Sequence, residues 1–194
     1  MAIFNGFHGM MPPQDKVAQV AAVPYDVVNS EEAAELAKGN PLSLLRVSRP
    51  EIEMEPGIDL HSDPVYAKAV ANFRRLIAEA PLSEDPAANL YVYSLKMNGR
   101  TQIGIAGAAS VEDYNTNVIK KHEKTRKDKE DDRARHVMEL RSHTGPVFLT
   151  YRDNKNVDAI VAEITAETPY YSFVAPDGIE HKLWKAGPER TEKL

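Results

Sequence analysis

The run Lys120-Lys121-His122-Glu123-Lys124-Thr125-Arg126 sets an imidazole, a carboxylate, ammonium and guanidinium groups and a hydroxyl side by side. Those are the groups that hold a phosphate and move a proton. Lys121, Lys124 and Arg126 can crowd one anion, and His122 and Glu123 beside them can serve as acid or base. A carboxylate next to a hydroxyl substrate is a reasonable general base for phosphoryl transfer, with cations and Mg²⁺ offsetting the charge on the transferring group.

The elements around the run must position it. Thr125-Arg126-Lys127-Asp128 has the spacing of a capping box, so a helix is expected from about Arg126 to Arg141. The backbone N–H groups at its start suit an anion. From Ile119 to Arg141 there are nine Lys or Arg and six Asp or Glu, locally +3 within a chain of net charge −5. The ordinary reading of so polar a helix is a solvated face laced with ion pairs. What favours a site is that the charges begin in the loop before the helix.

Other chemistries find little support. Arg126 stands where a His-Glu-x-x-His zinc motif needs its second histidine, and no metal ligand set is assigned. No glycine-rich phosphate loop, dinucleotide fingerprint or Gly-x-Ser-x-Gly elbow occurs. The absence of cysteine excludes disulfides, thiolate sites and cysteine nucleophiles. The negative balance counts against nucleic acid or an acidic membrane as partner. No apolar run approaches the roughly 20 residues a spanning helix needs, and the start lacks a signal-peptide layout, so a cytoplasmic protein is expected.

Along the chain, Val17 to Val23 reads as a strand or its approach, and Pro24-Tyr25-Asp26 as a strand entering a turn. Asp26 suits an Asx-type turn; its functional reading is a carboxylate facing a hydroxyl or a metal. Ser30-Glu31-Glu32 opens a short helix ended by Gly39. Leu42 to Val47 reads as a strand, with Asn40-Pro41 and Arg46 able to line the same site as Asp26. A long helix is expected from Asp63 to Glu79, with Pro64 in its first turn. Leu90 to Met97 alternates as a strand, Asn98-Gly99 is a hairpin turn, and Thr101 to Val111 returns. Tyr91 and Tyr93 share a face, as cross-strand packing residues would. Val147 to Tyr151 is a further strand, Val157 to Glu163 a helix, and Tyr170 to Val174 with His181 to Trp184 a final strand pair. His181 and Trp184 read as sheet or core residues. These elements predict an α+β fold with a mixed β-sheet, hairpins and packed helices, as one domain over 1–186 with a polar, frayed tail at 187–194.

Pro24-Tyr25-Asp26-Val27-Val28, Asn40-Pro41 with Leu45-Arg46, Tyr91-Val92-Tyr93 and above all His122-Glu123-Lys124-Thr125-Arg126 with Lys129-Glu130 and Asp132-Arg133 resemble the bacterial and archaeal family called domain of unknown function 1015. Gly145-Pro146-Val147 and His181-Lys182-Leu183-Trp184 fit it too. Members of that family are usually about twice as long. Their second half carries an Ala-Asp-Gly-His-His-Arg motif similar to one in free-serine kinases of the ParB/sulfiredoxin-like superfamily. The present chain lacks that motif, so the resemblance implies the N-terminal part of a nucleotide-dependent small-molecule kinase. It implies ATP or ADP with Mg²⁺ as cofactor and a small hydroxyl compound as substrate. On this reading Glu123 is the base, with His122 and Asp26 as further catalytic candidates. Lys121, Lys124, Thr125, Arg126, Arg133, Arg46 and Tyr25 then contact phosphate or substrate. The alternative is a non-enzymatic regulatory module of ParB-like type that binds a nucleotide or a partner.

Overall fold

The hydrophobic stripe Val65, Ala69, Phe73 and Leu76 recurs at helical spacing, and Pro64 presets the first turn. The computed structural model, which describes residues 2–122 and 124–194, places a helix there from Asp63 to Glu79. In chain order the elements are β1 (Phe4–Asn5), β2 (Met10–Met11), α1 (Val17–Val20), α2 (Ser30–Leu36), α3 (Leu45–Ser48), α4 (Asp63–Glu79), β3 (Ser83–Glu84), β4 (Tyr91–Met97) and β5 (Arg100–Ala106). They continue with β6 (Ala108–Ala109), α5 (Val111–Asn115), α6 (Lys127–Leu140), α7 (Lys155–Thr165), β7 (Tyr171–Val174), β8 (Glu180–Lys185) and α8 (Pro188–Lys193). Short 3-10 turns lie at Tyr25–Val27 and Pro50–Glu53. The fold is α+β. No described helix is long and apolar enough to cross a membrane.

The chain divides into two compact units. One comprises Met1–Gln14, Ser83–Glu123 and Phe148–Leu194; the other comprises Asp15–Leu82 and Lys124–Val147. The first is built on a four-stranded sheet in the order β5-β4-β8-β7. Asn98 and Gly99 both take positive φ, as a two-residue hairpin turn demands, and Met97 pairs with Arg100 across it. Val92 aligns with Ile105 on one side and Trp184 on the other. Together with Leu90 and Ala186 these residues form a core against Ile160, Val161 and Ile164 of α7. Gly107 is required by close approach: a Cβ there would stand 2.4 Å from Leu90 and 2.6 Å from the Phe4 ring. The final residues, which by composition suggest a frayed tail, form α8. It is tied down by Leu194 packing on this core and by the Thr191 hydroxyl accepting the Leu90 N–H at 3.1 Å.

The second unit is helical. Val20, Leu42, Val47, Ala69, Phe73, Leu76, Ala80 and Leu140 make its main core. Ala33, Ala37 and Leu45 make a satellite core with Val23, Val28 and Ile52 packed on it. α2 is capped one residue earlier than the sequence suggests. Asn29 accepts the Glu32 N–H at 2.9 Å and Glu32 returns a bond to the Asn29 N–H at 2.8 Å, a complete capping box.

Several expectations are corrected. All strand pairings of the described residues are antiparallel rather than mixed; β4–β5 and β7–β8 are hairpins, and β4 and β8 join them side by side in the same antiparallel sense. Val17–Val20 is helical and turns only Val20 fully inward. Leu42 to Val47 is not a strand: Leu42 and Leu45 are buried at helical spacing and α3 starts at Leu45. Val147 to Tyr151 forms no strand, and Val147 and Phe148 are 81% and 77% exposed. β-branched and aromatic composition describes a pleated, half-buried surface and does not supply a ladder.

Ile164 is wholly buried between α7 and the sheet. Ile164→Ala is expected to lower the unfolding free energy of the sheet unit by about 2–5 kcal/mol in chemical denaturation followed by Trp184 fluorescence. A loss below about 1 kcal/mol would contradict this packing.

Candidate functional site

α6 begins where the charged run ends. Arg126 is its N-cap, with extended backbone (φ −63°, ψ 137°), and its side chain makes no capping bond to the first turn. The capping box expected from Thr125 and Asp128 does not form. The Arg126 guanidinium takes the Asp128 carboxylate instead, at 3.1 Å from Nε and 2.8 Å from Nη2. Lys127 reaches Asp131 at 2.6 Å one turn on. Lys124, Thr125, Arg126, Lys127 and Lys129 are all exposed. The first turn therefore carries four cations and one acid, Asp128, over Lys124–Lys129. Lys121 and His122 belong to the sheet unit, where both are exposed and the Lys121 ammonium lies 4.4 Å from the centre of the Tyr114 ring. Glu123, the expected base, lies outside the described residues.

Beyond its first turn α6 is not simply a solvated face. Asp132, His136 and Leu140 are buried at a spacing of four and face the helical core. His136 Nε2 stands 3.1 Å from the Val47 carbonyl, which can only accept, so this nitrogen carries the hydrogen. Burial pushes the His136 imidazole below its ordinary value. Asp132 is 9% exposed and meets three partners. Tyr66 donates its hydroxyl to Oδ1 at 2.6 Å, and His61 Nδ1 lies 3.3 Å from the same oxygen. Arg133 grips Oδ2 through Nε at 2.9 Å and Nη2 at 2.6 Å. Burial alone would raise the Asp132 carboxyl, but the bonds from Tyr66, Arg133 and His61 more than offset it and hold it below the usual range. Burial and the adjacent carboxylate push Tyr66 up to about 12.

The structure brings two of the expected contacts together. The Arg133 guanidinium stacks 3.9 Å above the Tyr25 ring. Arg49 donates to the Tyr25 carbonyl at 2.8 Å and fixes the 3-10 turn that presents the ring. Asp26 is exposed in that turn. Arg46, by contrast, is a structural clamp. It donates to the Asn40 and Ala37 carbonyls at 2.8 and 2.7 Å and pairs with Glu53 at 2.5 Å. Glu53 also receives Lys68 at 2.9 Å and Arg75 at 3.3 Å.

Two polar clusters were not singled out by sequence. His61 gave no signal, because its partner is 71 residues away. In the sheet unit, buried Asp85 receives Lys185 at 2.9 Å, the Asn89 amide at 3.1 Å and the Tyr91 hydroxyl at 3.2 Å. Burial would raise Asp85, and Lys185 more than reverses it. Tyr91 also accepts the Gly9 N–H at 3.0 Å, so this network ties the N-terminal segment to the sheet. His181 is a sheet residue, stacked on Phe173 at 4.9 Å and bonded to the Tyr93 hydroxyl at 2.6 Å.

A family described as "Protein of unknown function (DUF1015)" matches residues 4–193. The chain belongs to the DUF1015 family. No curated protein and no solved structure matches it. The match spans both units, so the charged run and the Asp132 cluster both lie within the DUF1015 region.

Burial would raise the Glu53 carboxyl, yet the bonds from Lys68, Arg46 and Asn72 prevail and push it down from 4.5 to about 2. A depressed carboxylate stabilises the fold above its unfolded value, and that stabilisation is lost as pH falls from 4.5 towards 2. The contribution is on the order of 3 kcal/mol. Urea titrations between pH 6 and 2.5 are expected to show a shallower acid loss in Glu53→Gln, which starts from lower stability. Parallel curves would contradict the ion cluster.

Proposed function

We propose that this DUF1015 chain binds the phosphates of a nucleotide at the start of α6 and is part of a nucleotide-dependent small-molecule kinase. One observation carries the reading. Lys124, Arg126, Lys127 and Lys129 stand exposed around the first turn of a 14-residue helix whose N-cap residue, Arg126, makes no side-chain capping bond. The outward-facing N–H groups of a helix start, the positive end of the helix dipole and exposed cations together favour a multiply charged anion. The ion pairs of Arg126 with Asp128 and of Lys127 with Asp131 are exposed, and such pairs contribute only about 0–1 kcal/mol. They are easily exchanged for phosphate.

The residues present fit the nucleotide's phosphates. For Mg²⁺, no three acidic or histidine side chains of the described residues gather at metal-holding distance. The ion would therefore be held chiefly by phosphate oxygens, with one carboxylate at most, as Mg²⁺ commonly is. Bound there, it would neutralise charge on the phosphates. Thr125 lies beside the cations as a hydroxyl donor, and Arg133 over Tyr25 offers a guanidinium and an aromatic face to the substrate.

Melting of the chain with ATP, ADP, CTP or GTP, each with Mg²⁺, tests this. One nucleotide at 100 times its dissociation constant should stabilise the fold by about 2.7 kcal/mol, and Lys124→Ala should remove most of that shift. A shift unaffected by Lys124→Ala, or no shift with any nucleotide, would refute the site. Binding without transfer to any hydroxyl compound would instead favour a nucleotide-binding regulatory module.

A further inference from the structure

The helical unit contains an acid–base arrangement distinct from the charged run. His61 sits in the turn that feeds α4. Its N–H goes to Asp59 Oδ1 at 3.0 Å, and the Ser62 hydroxyl closes the turn on the Asp59 carbonyl at 2.7 Å. The ring is thus presented by a braced backbone. Its Nδ1 faces Asp132 Oδ1. An ionised carboxylate only accepts, so Nδ1 carries the hydrogen, and in the neutral imidazole the lone pair is then on Nε2.

The exposures of the two groups differ in the way proton transfer requires. The His61 side chain is 48% exposed, whereas that of Asp132 is 9% exposed. The orienting group is buried and the group it orients opens to solvent. Tyr66 on Oδ1 and Arg133 on both Nε and Nη2 stop the carboxylate from turning. A histidine anchored through one nitrogen on a fixed carboxylate, with the other nitrogen offered outward, is the constellation general bases use. Its place is also suitable. Asp132 lies six residues into the helix from Arg126, about 9 Å along the axis from the first turn, so it shares a helix with the cations assigned to phosphate.

We propose that His61 is a proton-transfer group of this protein and that Asp132 is its positioning residue. Its use on a hydroxyl substrate rests on the phosphoryl-transfer reading above. In that use the substrate O–H proton passes to His61 Nε2 as the hydroxyl oxygen bonds to the terminal phosphorus. The bond from that phosphorus to the nucleoside diphosphate oxygen breaks and its electron pair leaves with the diphosphate. The imidazolium then returns the proton to water. Arg133, on the other oxygen of the same carboxylate, places a positive charge beside this histidine.

Site-resolved carbethoxylation of the whole chain by diethyl pyrocarbonate tests the chemistry without any ligand, since the reagent reports an available imidazole lone pair. His61 is expected to react several-fold faster than the exposed His122 and the surface-loop His143, and Asp132→Asn should abolish that excess. Equal rates in the natural chain, or an excess that survives Asp132→Asn, would overturn the proposal. Should Asp132→Asn fail to fold, nitrogen NMR of the natural chain decides: Nδ1 protonated and Nε2 bare supports the dyad, and the reverse tautomer overturns it. Phosphate transfer from ATP with Mg²⁺ to a panel of small hydroxyl compounds separates the two claims. His61→Gln should lower kcat by about 10²–10⁴-fold and flatten the pH profile, while unchanged kcat would overturn the role of His61. Excess reactivity with no transfer shows that this chain by itself does not carry out the phosphoryl step and leaves the proton-transfer assignment standing.

Discussion

A carboxylate removed from water costs several kcal/mol unless its oxygens are met by donors of suitable geometry. Asp132 is such a carboxylate, and most of what the helical unit presents depends on how it is met. Tyr66 comes from α4, His61 from the turn before α4, and Arg133 from α6 itself. Satisfying one buried charge therefore fixes the register of α6 against α4. It also orients a histidine and sets a guanidinium over the Tyr25 ring. Removing any partner leaves an underpaired buried charge, so the cluster is held as a unit rather than as separate contacts. One turn further along, His136 donates to the Val47 carbonyl and carries the same helix face into the apolar core.

The two ends of α6 work under opposite constraints. The C-terminal half is anchored by His136 and Leu140. The first turn is polar and exposed, and its side chains pair at the surface, Arg126 with Asp128 and Lys127 with Asp131. A rigid helix with an unburied cationic start is a suitable platform for an anion, because the backbone donors are preorganised while the side chains remain free to rearrange. Arg46 and Glu53 show the contrasting case. Their charges are spent on neighbouring carbonyls and cations, and they hold α3 and the Pro50–Glu53 turn in place.

Much of the fold was legible where local chemistry and tertiary packing agree. Pro64 and the stripe through Leu76 defined α4 to the residue, and Asn98-Gly99 defined the β4–β5 hairpin. The short apolar pieces were not legible. Val17–Val20 and Leu45–Ser48 are too brief for periodicity to separate helix from strand, and packing decided both. At the site, the cationic start of α6 could be read directly from the run. The burial of Asp132 could not, because charge density across the helix masks it. The only hint was its spacing of four from His136 and eight from Leu140, which aligns it with the inward face. The His61 contact spans 71 residues and leaves no local pattern. The membership in DUF1015 was legible from the same run, which carries the most specific part of the resemblance.

The proposed function stands or falls with phosphate binding at the start of α6. Backbone amide shifts of the ¹⁵N-labelled chain, followed as ATP with Mg²⁺ is added, test it most directly. Saturable shifts are expected, concentrated on Lys124 to Lys129, with smaller changes passing along α6 to Asp132 and Arg133. Shifts confined to other elements, or none at saturating nucleotide, would contradict it.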